Sequence, residues 1–522
     1  MLKCGKWSVW SVALLVVFSA ALNAQNFVYT NNDQTVANSV SAFSVDSSGT
    51  LGQIGGSPFA TGGVGRGSGL YSSNRIVVVG DFLYASNAVS SNVSAFSIDT
   101  GTGVLTPVAG SPFGTNTSDN SALSGISLAA TPDGSFLYAG STGVGGQIAI
   151  FSIDSSGALT LVGSSPVAAG GPVYSLKVSP DGKFLVAALF QTSQIAVFAI
   201  QSDGTLQAVS NSPFTVSSGS VAGVDINCAS DLLFAGGGIS GNIYVFNIAS
   251  DGQLTAVTGS PFATTLPSNQ VVALSTDDTT LYSSNQGNNT VTAFAVGTDG
   301  SLTIPGTTVS AGTGALYPGG LAVSQDGLFL YAADLAITGG VGGVSTFNLG
   351  NALQISFASL TSTGVSSQLH SVAAYPAKAC STPPPAAGLT ASLQISTTPP
   401  PGFNLNATLS LDSSLEVDPL TQPVDIQIGN FSLTLPAGSF MTFQDGVNSG
   451  TYLFQGVVNS TTLKVQIEPL SQNQFQIYAY GKQVDLTDLS SPVTVTVGIG
   501  GNSASASVEP VLGTLRGNWR DY

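Results

Sequence analysis

Charged residues are scarce in this chain. Only 7% of its 522 residues are Asp, Glu, Lys or Arg, whereas about a quarter is usual in a soluble domain. Long solvated helices and coiled coils need many such side chains, so the composition predicts a β protein. Eleven Lys and Arg stand against 27 Asp and Glu, for a formal net charge of −16. Phosphate binding needs clustered cations, so nucleic acid is excluded as a partner.

Long apolar runs are also lacking. The run between Val12 and Leu22 is shorter than the roughly 20 residues of a membrane-spanning helix. It follows Lys3 and Lys6 and ends in small residues before Gln25. Residues 1–24 are therefore predicted to be a secretory signal peptide. We expect a secreted or periplasmic protein whose mature part has no transmembrane segment.

Cysteine and histidine are rare. Cys4 lies in the predicted signal peptide, which leaves Cys228 and Cys380. Export would permit a disulfide between them, and two shielded free thiols are the alternative. His370 is the only imidazole, which excludes a zinc site built from several histidines. It is either a general base or a structural residue.

A repeat organises most of the chain. A pair of aromatic or aliphatic residues recurs seven times at intervals of 48 to 55 residues, beginning at Val28-Tyr29 and ending at Leu330-Tyr331. This interval is typical of one four-stranded propeller blade. In the last copy we predict strands at 320–324, 329–333, 343–348 and 352–357. A further run, 369–375, is expected to pair with 27–31, closing a seven-bladed β-propeller between its N- and C-terminal strands.

Several motifs carry a resemblance to a known family. Turns such as Pro132-Asp133-Gly134, followed by Phe136-Leu137-Tyr138-Ala139 and strands such as 93–99, resemble the lactonase family of seven-bladed propellers. That family includes bacterial 6-phosphogluconolactonase and carboxymuconate cyclase-like proteins, and related surface proteins carry YVTN-type repeats. The resemblance covers residues 27–376. It implies a cleft on one face with His, Arg and acidic side chains, often in a Gly-Pro-Arg-His-like segment.

The family's cationic motif is not found in this chain. The corresponding segments read Gly170-Gly171-Pro172-Val173 and Tyr317-Pro318-Gly319-Gly320, without Arg or His. Residues 25–380 contain five Lys and Arg against 17 Asp and no Glu. A phosphorylated or tricarboxylate lactone would therefore meet a repulsive field.

The composition changes after the repeats. Residues 25–379 are assigned to the propeller and 380–388 to a stiff, proline-rich linker. Residues 389–522 contain about seven runs that alternate apolar and polar residues, which predicts a C-terminal β-sandwich.

A catalytic site would need its groups to meet in one cleft. The candidates are His370, Asp334 and a loop arginine, either Arg75 or Arg66. General-base contact requires about 3 Å or one intervening water, so a lactone hydrolase requires these residues to converge.

The phase of the repeat predicts an ion pair. Lys177 and Asp225 occupy the inner-strand position at which four other copies have Ala. We expect them to pair inside the central tunnel, either as a structural plug or as the lining of a ligand pocket.

Oxygen-bearing side chains cluster in the loops that follow the second strands. Asn32, Asp33 and Asp334 are candidate ligands for calcium, which prefers such oxygens. Asn and Asp are equally typical of ordinary tight turns.

These observations favour a binding or scaffold module for a neutral carbohydrate or a protein partner, because the surface is rich in Ser, Thr and Asn and the catalytic cations are missing. The alternative is a lactone hydrolase similar to 6-phosphogluconolactonase, with a cation-poor site.

Overall fold

The structure is a computed structural model, and part of the chain is described. The described residues are 26–67, 73–117, 125–143, 145–163, 165–217, 219–264, 266, 268–337, 340–350, 353–366, 368–378, 380, 388–396, 398–411, 417–442, 451–471, 474–484, 486, 489, 491–500 and 502–513. The predicted signal peptide and residues 381–387 of the predicted linker lie outside them.

The repeats form seven antiparallel sheets of four or five strands, numbered here as sheets 1 to 7. Sheet 1 contains β1 Phe27–Asn31, β2 Ser39–Val45, β3 Leu51–Gln53 and β4 Phe59–Ala60. Sheet 2 contains β5 Ile76–Val79, β6 Phe82–Asn87, β7 Asn92–Ile98, β8 Leu105–Pro107 and β9 Phe113–Gly114. Sheet 3 contains β10 Ile126–Ala130, β11 Phe136–Ser141, β12 Gln147–Ile153, β13 Leu159–Leu161 and β14 Val167–Ala168.

The remaining four sheets follow in chain order. Sheet 4 contains β15 Val173–Val178, β16 Phe184–Leu189, β17 Gln194–Ile200, β18 Leu206–Ala208 and β19 Phe214–Thr215, with a 3₁₀ turn at Phe190–Thr192. Sheet 5 contains β20 Val224–Ile226, β21 Leu232–Gly236, β22 Asn242–Ile248, β23 Leu254–Ala256 and β24 Phe262–Ala263. Sheet 6 contains β25 Asn269–Leu274, β26 Thr280–Asn285, β27 Thr290–Ala295 and β28 Thr307–Ser310. Sheet 7 contains β29 Ala315–Val323, β30 Phe329–Ile337, β31 Val341–Leu349 and β32 Ile355–Ser362.

A strand that follows the last repeat joins the first sheet. This strand, β33 Val372–Tyr375, pairs antiparallel with β1, so that Phe27 faces Tyr375 and Thr30 faces Val372. Sheet 1 is therefore composite, since it combines strands from both ends of the repeated part. The strand is shorter than the predicted run of 369–375.

The inner strands of the seven sheets contact one another in sequence. We call β5, β10, β15, β20, β25, β29 and β33 the inner strands, because each contacts the next in this order and β33 contacts β5. The space between them is called the central channel. The upper face is the side on which the inner strands begin, and the lower face is the side on which they end.

Buried tyrosines of the second strands bridge neighbouring sheets. The hydroxyl of Tyr29 donates to the Gly103 carbonyl at 2.9 Å, and that of Tyr84 donates to the Gly157 carbonyl at 3.1 Å. Tyr29 and Tyr84 are fully buried, and burial raises the pKa of both. The repeated tyrosine thus places its ring in the core and its hydroxyl on a turn of the next sheet.

The Ser-Pro motif after the outer strand forms a short fifth strand in sheets 1 to 5. Ser57 accepts a hydrogen bond from the Ala42 backbone N–H at 2.9 Å, and Ser111 does the same for Ala95 at 2.9 Å. The motif therefore returns the chain to the third strand of its own sheet, which the sequence analysis did not predict.

The C-terminal part also contains only β-strands among its described residues. A seven-stranded sheet contains β34 Gly388–Ser396, β35 Gly402–Ser410, β38 Met441–Thr442, β39 Tyr452–Val458, β40 Thr461–Ser471, β41 Gln474–Lys482 and β44 Val511–Leu512. A four-stranded sheet contains β36 Val424–Ile428, β37 Phe431–Leu435, β42 Val493–Ile499 and β43 Asn502–Val508. Side chains of both sheets share one apolar core, including Phe403, Val465, Ile426 and Val495.

The all-β class predicted from the composition is confirmed, since the described residues form no α-helix. None of the described segments is a helix long and apolar enough to cross a membrane.

Candidate functional site

The upper face gathers several candidate residues, for a topological reason. In an antiparallel sheet, the end of the second strand lies beside the start of the inner strand. Asp33 follows β1, Arg75 precedes β5, and His370 and Ser371 precede β33. These residues therefore meet where sheets 1, 2 and 7 adjoin at the channel.

Arg75 and Asp33 form a buried ion pair. Arg75 Nη1 lies 2.5 Å from Asp33 Oδ2, and each side chain is only 1% exposed. The second oxygen, Asp33 Oδ1, accepts the Arg66 backbone N–H at 2.8 Å. The Arg75 backbone N–H donates to Ser371 Oγ at 2.8 Å. The positive charge of Arg75 is therefore compensated inside the protein, as a buried charge requires.

A glycine loop holds Asp33 in position. The Gly67 N–H donates to the Asp33 carbonyl at 2.7 Å. A Cβ atom on Gly65 would come within 2.5 Å of the Asp33 carbonyl carbon, so this approach requires glycine. Asp33 itself adopts φ +50° and its N–H donates to Asn31 Oδ1 at 3.0 Å. The loop between sheets 1 and 2 thus directs the carboxylate toward Arg75.

His370 precedes Ser371 in the chain and is enclosed by residues of sheets 6 and 7. The residue is 0% exposed, and its Nε2 lies 2.8 Å from Gln286 Nε2. With the amide in this orientation, Gln286 donates and the imidazole Nε2 accepts. A Cβ on Gly319 would come within 2.8 Å of His370 Cδ2, so this glycine leaves room for the imidazole.

Asp334 is hydrogen-bonded to the third strand of its own sheet. Its Oδ2 accepts the Ser345 hydroxyl at 2.7 Å, its other oxygen has no hydrogen-bond partner, and the residue is 0% exposed. Burial raises the pKa of Asp334 well above its ordinary value, against the opposing effect of the Ser345 hydrogen bonds. The carboxyl group faces strand β31, and its burial favours the protonated form. Asp33 is the carboxylate beside Arg75, and the convergence of Asp334 with His370 and Arg75 stays a prediction.

Asp334 occupies a position that is Asn in other sheets. Asn87 Nδ2 donates to Ser94 Oγ at 2.8 Å, and Asn285 Nδ2 donates to Thr292 Oγ1 at 2.9 Å. In each case the end of the second strand is tied to a hydroxyl of the third strand. Asp334 and Ser345 repeat this arrangement with a carboxyl group in place of the amide.

The predicted calcium ligands are directed to different partners. Asn32 Nδ2 donates to Ser39 Oγ and Ser41 Oγ at 2.8 and 3.0 Å, Asp33 pairs with Arg75, and Asp334 binds Ser345. Within the described ranges, no group of three or more His, Cys, Asp or Glu side chains is arranged to hold a metal ion. The hydrogen bonds of the three side chains do not bring them to a common point, and a calcium site at them stays a prediction.

A second charged group lies where the inner strands end. Lys177 Nζ is 2.7 Å from Asp225 Oδ1, and their side chains are 37% and 7% exposed. Lys378 Nζ lies 4.0 Å from Asp225 Oδ2. Burial raises the pKa of Asp225, but the two ammonium groups and hydrogen bonds outweigh burial and hold it below its ordinary value. The structure thus brings Lys177 and Asp225 together on adjacent inner strands and adds Lys378, which the sequence analysis missed.

Cys228 and Cys380 form a disulfide across 152 positions of sequence. The Cys228 N–H donates to Asp278 Oδ2 at 2.6 Å, and Cys228 follows the inner strand β20. The segment that leaves β33 is therefore attached covalently to sheet 5 on the lower face.

Turn aspartates dominate the lower face. Hydrogen bonds from Ser or Thr hydroxyls and from backbone amides lower the pKa values of Asp46, Asp99, Asp154 and Asp203. These four carboxylates close tight turns, which is a structural role. A cleft of about 310 Å³ between sheets 3 and 4 is lined on this face by Asp133 and Asp181 and contains none of the candidate site residues.

The comparisons with known proteins agree with this architecture. Residues 125–225 and 233–371 match the family model described as "Lactonase, 7-bladed beta-propeller". No curated protein matches the sequence. The resemblance of the repeated part to lactonase-type seven-bladed propellers is confirmed.

Solved structures with the same fold include three bacterial proteins. A putative 6-phosphogluconolactonase from Bacteroides fragilis is 20% identical, with a TM-score of 0.52 over 68% of this chain and 99% of that one. The periplasmic gluconolactonase PpgL from Pseudomonas aeruginosa is 16% identical, with a TM-score of 0.52 over 67% and 98% of the two chains. A protein from Lactobacillus plantarum is 17% identical, with a TM-score of 0.51 over 67% and 98%. At these identities the likeness shows the fold alone.

Proposed function

Because the repeated part resembles lactonase-type propellers, we propose that this chain hydrolyses a lactone at the upper face of the central channel. The observation that carries the proposal is the placement of Arg75, Asp33, Ser371, His370 and Gln286 at the upper face, where inner strands begin and second strands end. The lactonase family match and the fold of two lactonase-type neighbours support the same reaction class.

The chemistry assigns distinct roles to two of these groups. In lactone hydrolysis, water adds to the carbonyl carbon, the ring C–O bond breaks, and the leaving oxygen takes a proton to give a hydroxy acid. The guanidinium of Arg75 would stabilise the negative charge that develops on the carbonyl oxygen. Neutral His370 would exchange the proton after Gln286 releases its Nε2. Both side chains are buried, so the reaction also requires local opening of the upper face.

The electrostatics favour an uncharged lactone. The charge of Arg75 is matched by Asp33, and the lysines of residues 25–380 at positions 177, 183 and 378 all lie toward the lower face. A phosphorylated substrate would also meet the net negative charge of the chain.

The proposal includes the domain organisation that the sequence predicts, a closed propeller followed by a sandwich. The pairing of β33 with β1 and the sequence of inner-strand contacts support a closed seven-bladed ring over residues 25–379. The shared core of the two C-terminal sheets supports a sandwich over residues 389–522. The leader at residues 1–24 and a secreted or periplasmic location are consistent with the lack of a spanning helix in the described part of the chain.

The binding or scaffold role favoured by the sequence has no observation in its support, and the comparisons favour hydrolysis. A neutral carbohydrate or protein partner becomes the working interpretation only if hydrolysis is absent.

The test is hydrolysis by the mature protein from Gln25, measured by pH-stat with 1,5-gluconolactone and with its phosphorylated form. We expect turnover of the uncharged lactone and a loss of about 10²-fold or more in His370→Asn. Lys183→Gln is the matched control, because Lys183 is 69% exposed and pairs only with Asp181 on the lower face. Absence of turnover with both substrates, in protein that is folded by circular dichroism, overturns the proposal.

A further inference from the structure

After its last inner strand the chain leaves sheet 1 and is next attached to sheet 5, on the lower face. β33 ends at Tyr375 in sheet 1, and Cys380 is bonded to Cys228 in sheet 5. In the order of inner-strand contacts, sheets 1 and 5 are separated by sheets 7 and 6, which is as far apart as seven positions allow. Five residues reach about 18 Å at most. That length suffices to cross between the inner strands but not to pass around the outside of two sheets.

A buried lysine anchors this crossing. Lys378 Nζ donates to the Leu274 carbonyl at the end of β25 at 2.8 Å and lies 4.0 Å from Asp225 Oδ2. The Lys378 side chain is only 20% exposed. Burial lowers the pKa of Lys378, and the Asp225 carboxylate opposes this effect.

The anchor extends to a third inner strand. Asp225 also pairs with Lys177 on β15, and its Oδ2 accepts the Leu274 N–H at 2.9 Å. The ends of β15, β20 and β25 are therefore linked to one another and to the crossing segment through a single carboxylate.

The disulfide completes the attachment. Without it, the segment would be held only by the Lys378 contacts beyond Tyr375, which itself donates from its hydroxyl to Asp81 Oδ1 at 2.8 Å. With it, both ends of the crossing are fixed, at sheet 1 by strand pairing and at sheet 5 by a covalent bond.

We propose that residues 376–378 and Cys380 form a strap that closes the lower end of the central channel. The channel then communicates with solvent only at the upper face, where Arg75 and His370 lie. This inference goes beyond the proposed function, since it concerns access to the channel whatever is bound there.

The first test is limited trypsin digestion with and without dithiothreitol. Reduction breaks the S–S bond, each sulfur takes up one electron and one proton, and dithiothreitol is oxidised to its cyclic disulfide. We expect cleavage after Lys378 to become at least about tenfold faster on reduction, because proteolysis follows the population of locally open states. Cys380→Ser should give the same acceleration without reductant.

Two internal controls accompany this experiment. Lys183 is 69% exposed on the same face, so cleavage after it should not change on reduction. Arg75 is 1% exposed, so cleavage after it reports global unfolding. Equal cleavage after Lys378 in oxidised and reduced protein contradicts the strap.

A second measurement covers the case in which reduction unfolds the protein. In Lys378→Gln the disulfide remains, and the strap loses its ionic anchor. Hydrogen exchange should then accelerate in peptides covering residues 376–378 and Leu274, while peptides from sheets 2 and 3 keep their rates. Unchanged exchange at both places would overturn the proposal.

Discussion

Asp33 Oδ2 lies 2.5 Å from Arg75 Nη1 inside the protein. This contact joins the loop after β1 in sheet 1 to the start of β5 in sheet 2. Each partner is held by backbone groups as well, Asp33 by the Arg66 N–H and Arg75 through Ser371. The pair is therefore both a link between sheets and the charged part of the candidate site.

Removing one member of the Asp33–Arg75 pair should lower the free energy of unfolding. Asp33→Asn leaves a buried guanidinium without its counter-ion, and we expect a loss of about 3–5 kcal/mol in the free energy of unfolding. Asp33→Asn combined with Arg75→Met removes both charges and should restore much of that loss. Urea unfolding of the two single variants and the double variant measures the coupling. Additive losses would show that the two charges do not depend on each other.

The single histidine permits a direct test of its environment. Nitrogen NMR of the imidazole at pH 7 should give one ring with the proton on Nδ1, because Gln286 donates to Nε2. Gln286→Leu should shift the Nε2 resonance, and Gln286→Glu should favour the charged imidazolium by placing a carboxylate at the same distance. A proton on Nε2 in the unaltered protein would contradict the assignment, whether or not the protein is an enzyme.

Asp334→Asn should stabilise the protein at neutral pH. The amide reproduces the hydrogen bond that Asn87 and Asn285 donate to the third strand. We expect the free energy of unfolding to rise by on the order of 1 kcal/mol, because the amide forms a hydrogen bond to the buried Ser345 hydroxyl. Lactone hydrolysis should be unaffected, because the hydrogen bond of Asp334 is made to Ser345 and the proposed reaction uses Arg75 and His370.

The pH dependence of this variant follows from the raised pKa of Asp334. The folded protein keeps the proton, whereas the unfolded chain releases it above a pH of about 4. Wild-type stability therefore falls as pH rises from about 4 toward the raised folded pKa, and Asp334→Asn lacks this component. Thermal unfolding between pH 4 and 8 should show the two proteins converging at the acidic end. Parallel curves would mean that Asp334 is ionised in the folded state.

Asp225 should make stability depend on pH in the opposite direction. Its pKa is lowered in the folded state, so its contribution is present above a pH of about 4 and is lost as the pH falls through the lowered value. Asp225→Asn leaves Lys177 and Lys378 without their counter-ion, at a cost of about 1–3 kcal/mol, since Lys177 is partly exposed. Acid titration monitored by fluorescence should show a weaker acid transition in the variant than in wild type.

Gly319→Ala should disturb His370 without disturbing the fold. Its Cβ would come within 2.8 Å of the imidazole, which must then move away from Gln286. We expect a fall in the turnover of the uncharged lactone of about tenfold or more, because a shift of 1 Å at a reacting group is costly. Gly163→Ala is the matched control, since nothing lies within 4 Å of its added Cβ. Equal activity in both variants would exclude a role for the position of His370.

The repeat predicted more of the fold than of the site. The pairing of Lys177 with Asp225 could be predicted from the sequence because the two residues occupy equivalent positions in consecutive repeats. Adjacent inner strands place equivalent positions side by side. Asp33 and Arg75 are 42 residues apart in loops outside that phase, so nothing in the pattern linked them. The role of Asp334 could not be read from the sequence, because an acid in a loop has the same appearance whether it is ionised at a site or protonated against Ser345.

Strand prediction succeeded where apolar and polar residues alternate. The strands Val424–Ile428 and Val493–Ile499 belong to the alternating runs from which the sequence predicts a C-terminal sandwich. Asn502–Val508 was missed because its sequence, NSASASV, alternates only small residues with Ser. The short strand Phe59–Ala60 was missed because two residues carry no periodicity, and its position depends on the hydrogen bond of Ser57.

The pairing of β1 with β33 has a consequence for biosynthesis. Residues 27–31 are among the first of the repeated part to leave the ribosome, yet the strand that covers their edge is translated about 345 residues later. Until then the nascent chain carries an uncovered strand edge, which is a template for wrong pairing. A chaperone that shields this edge, or export before folding, would protect the newly made chain over that interval.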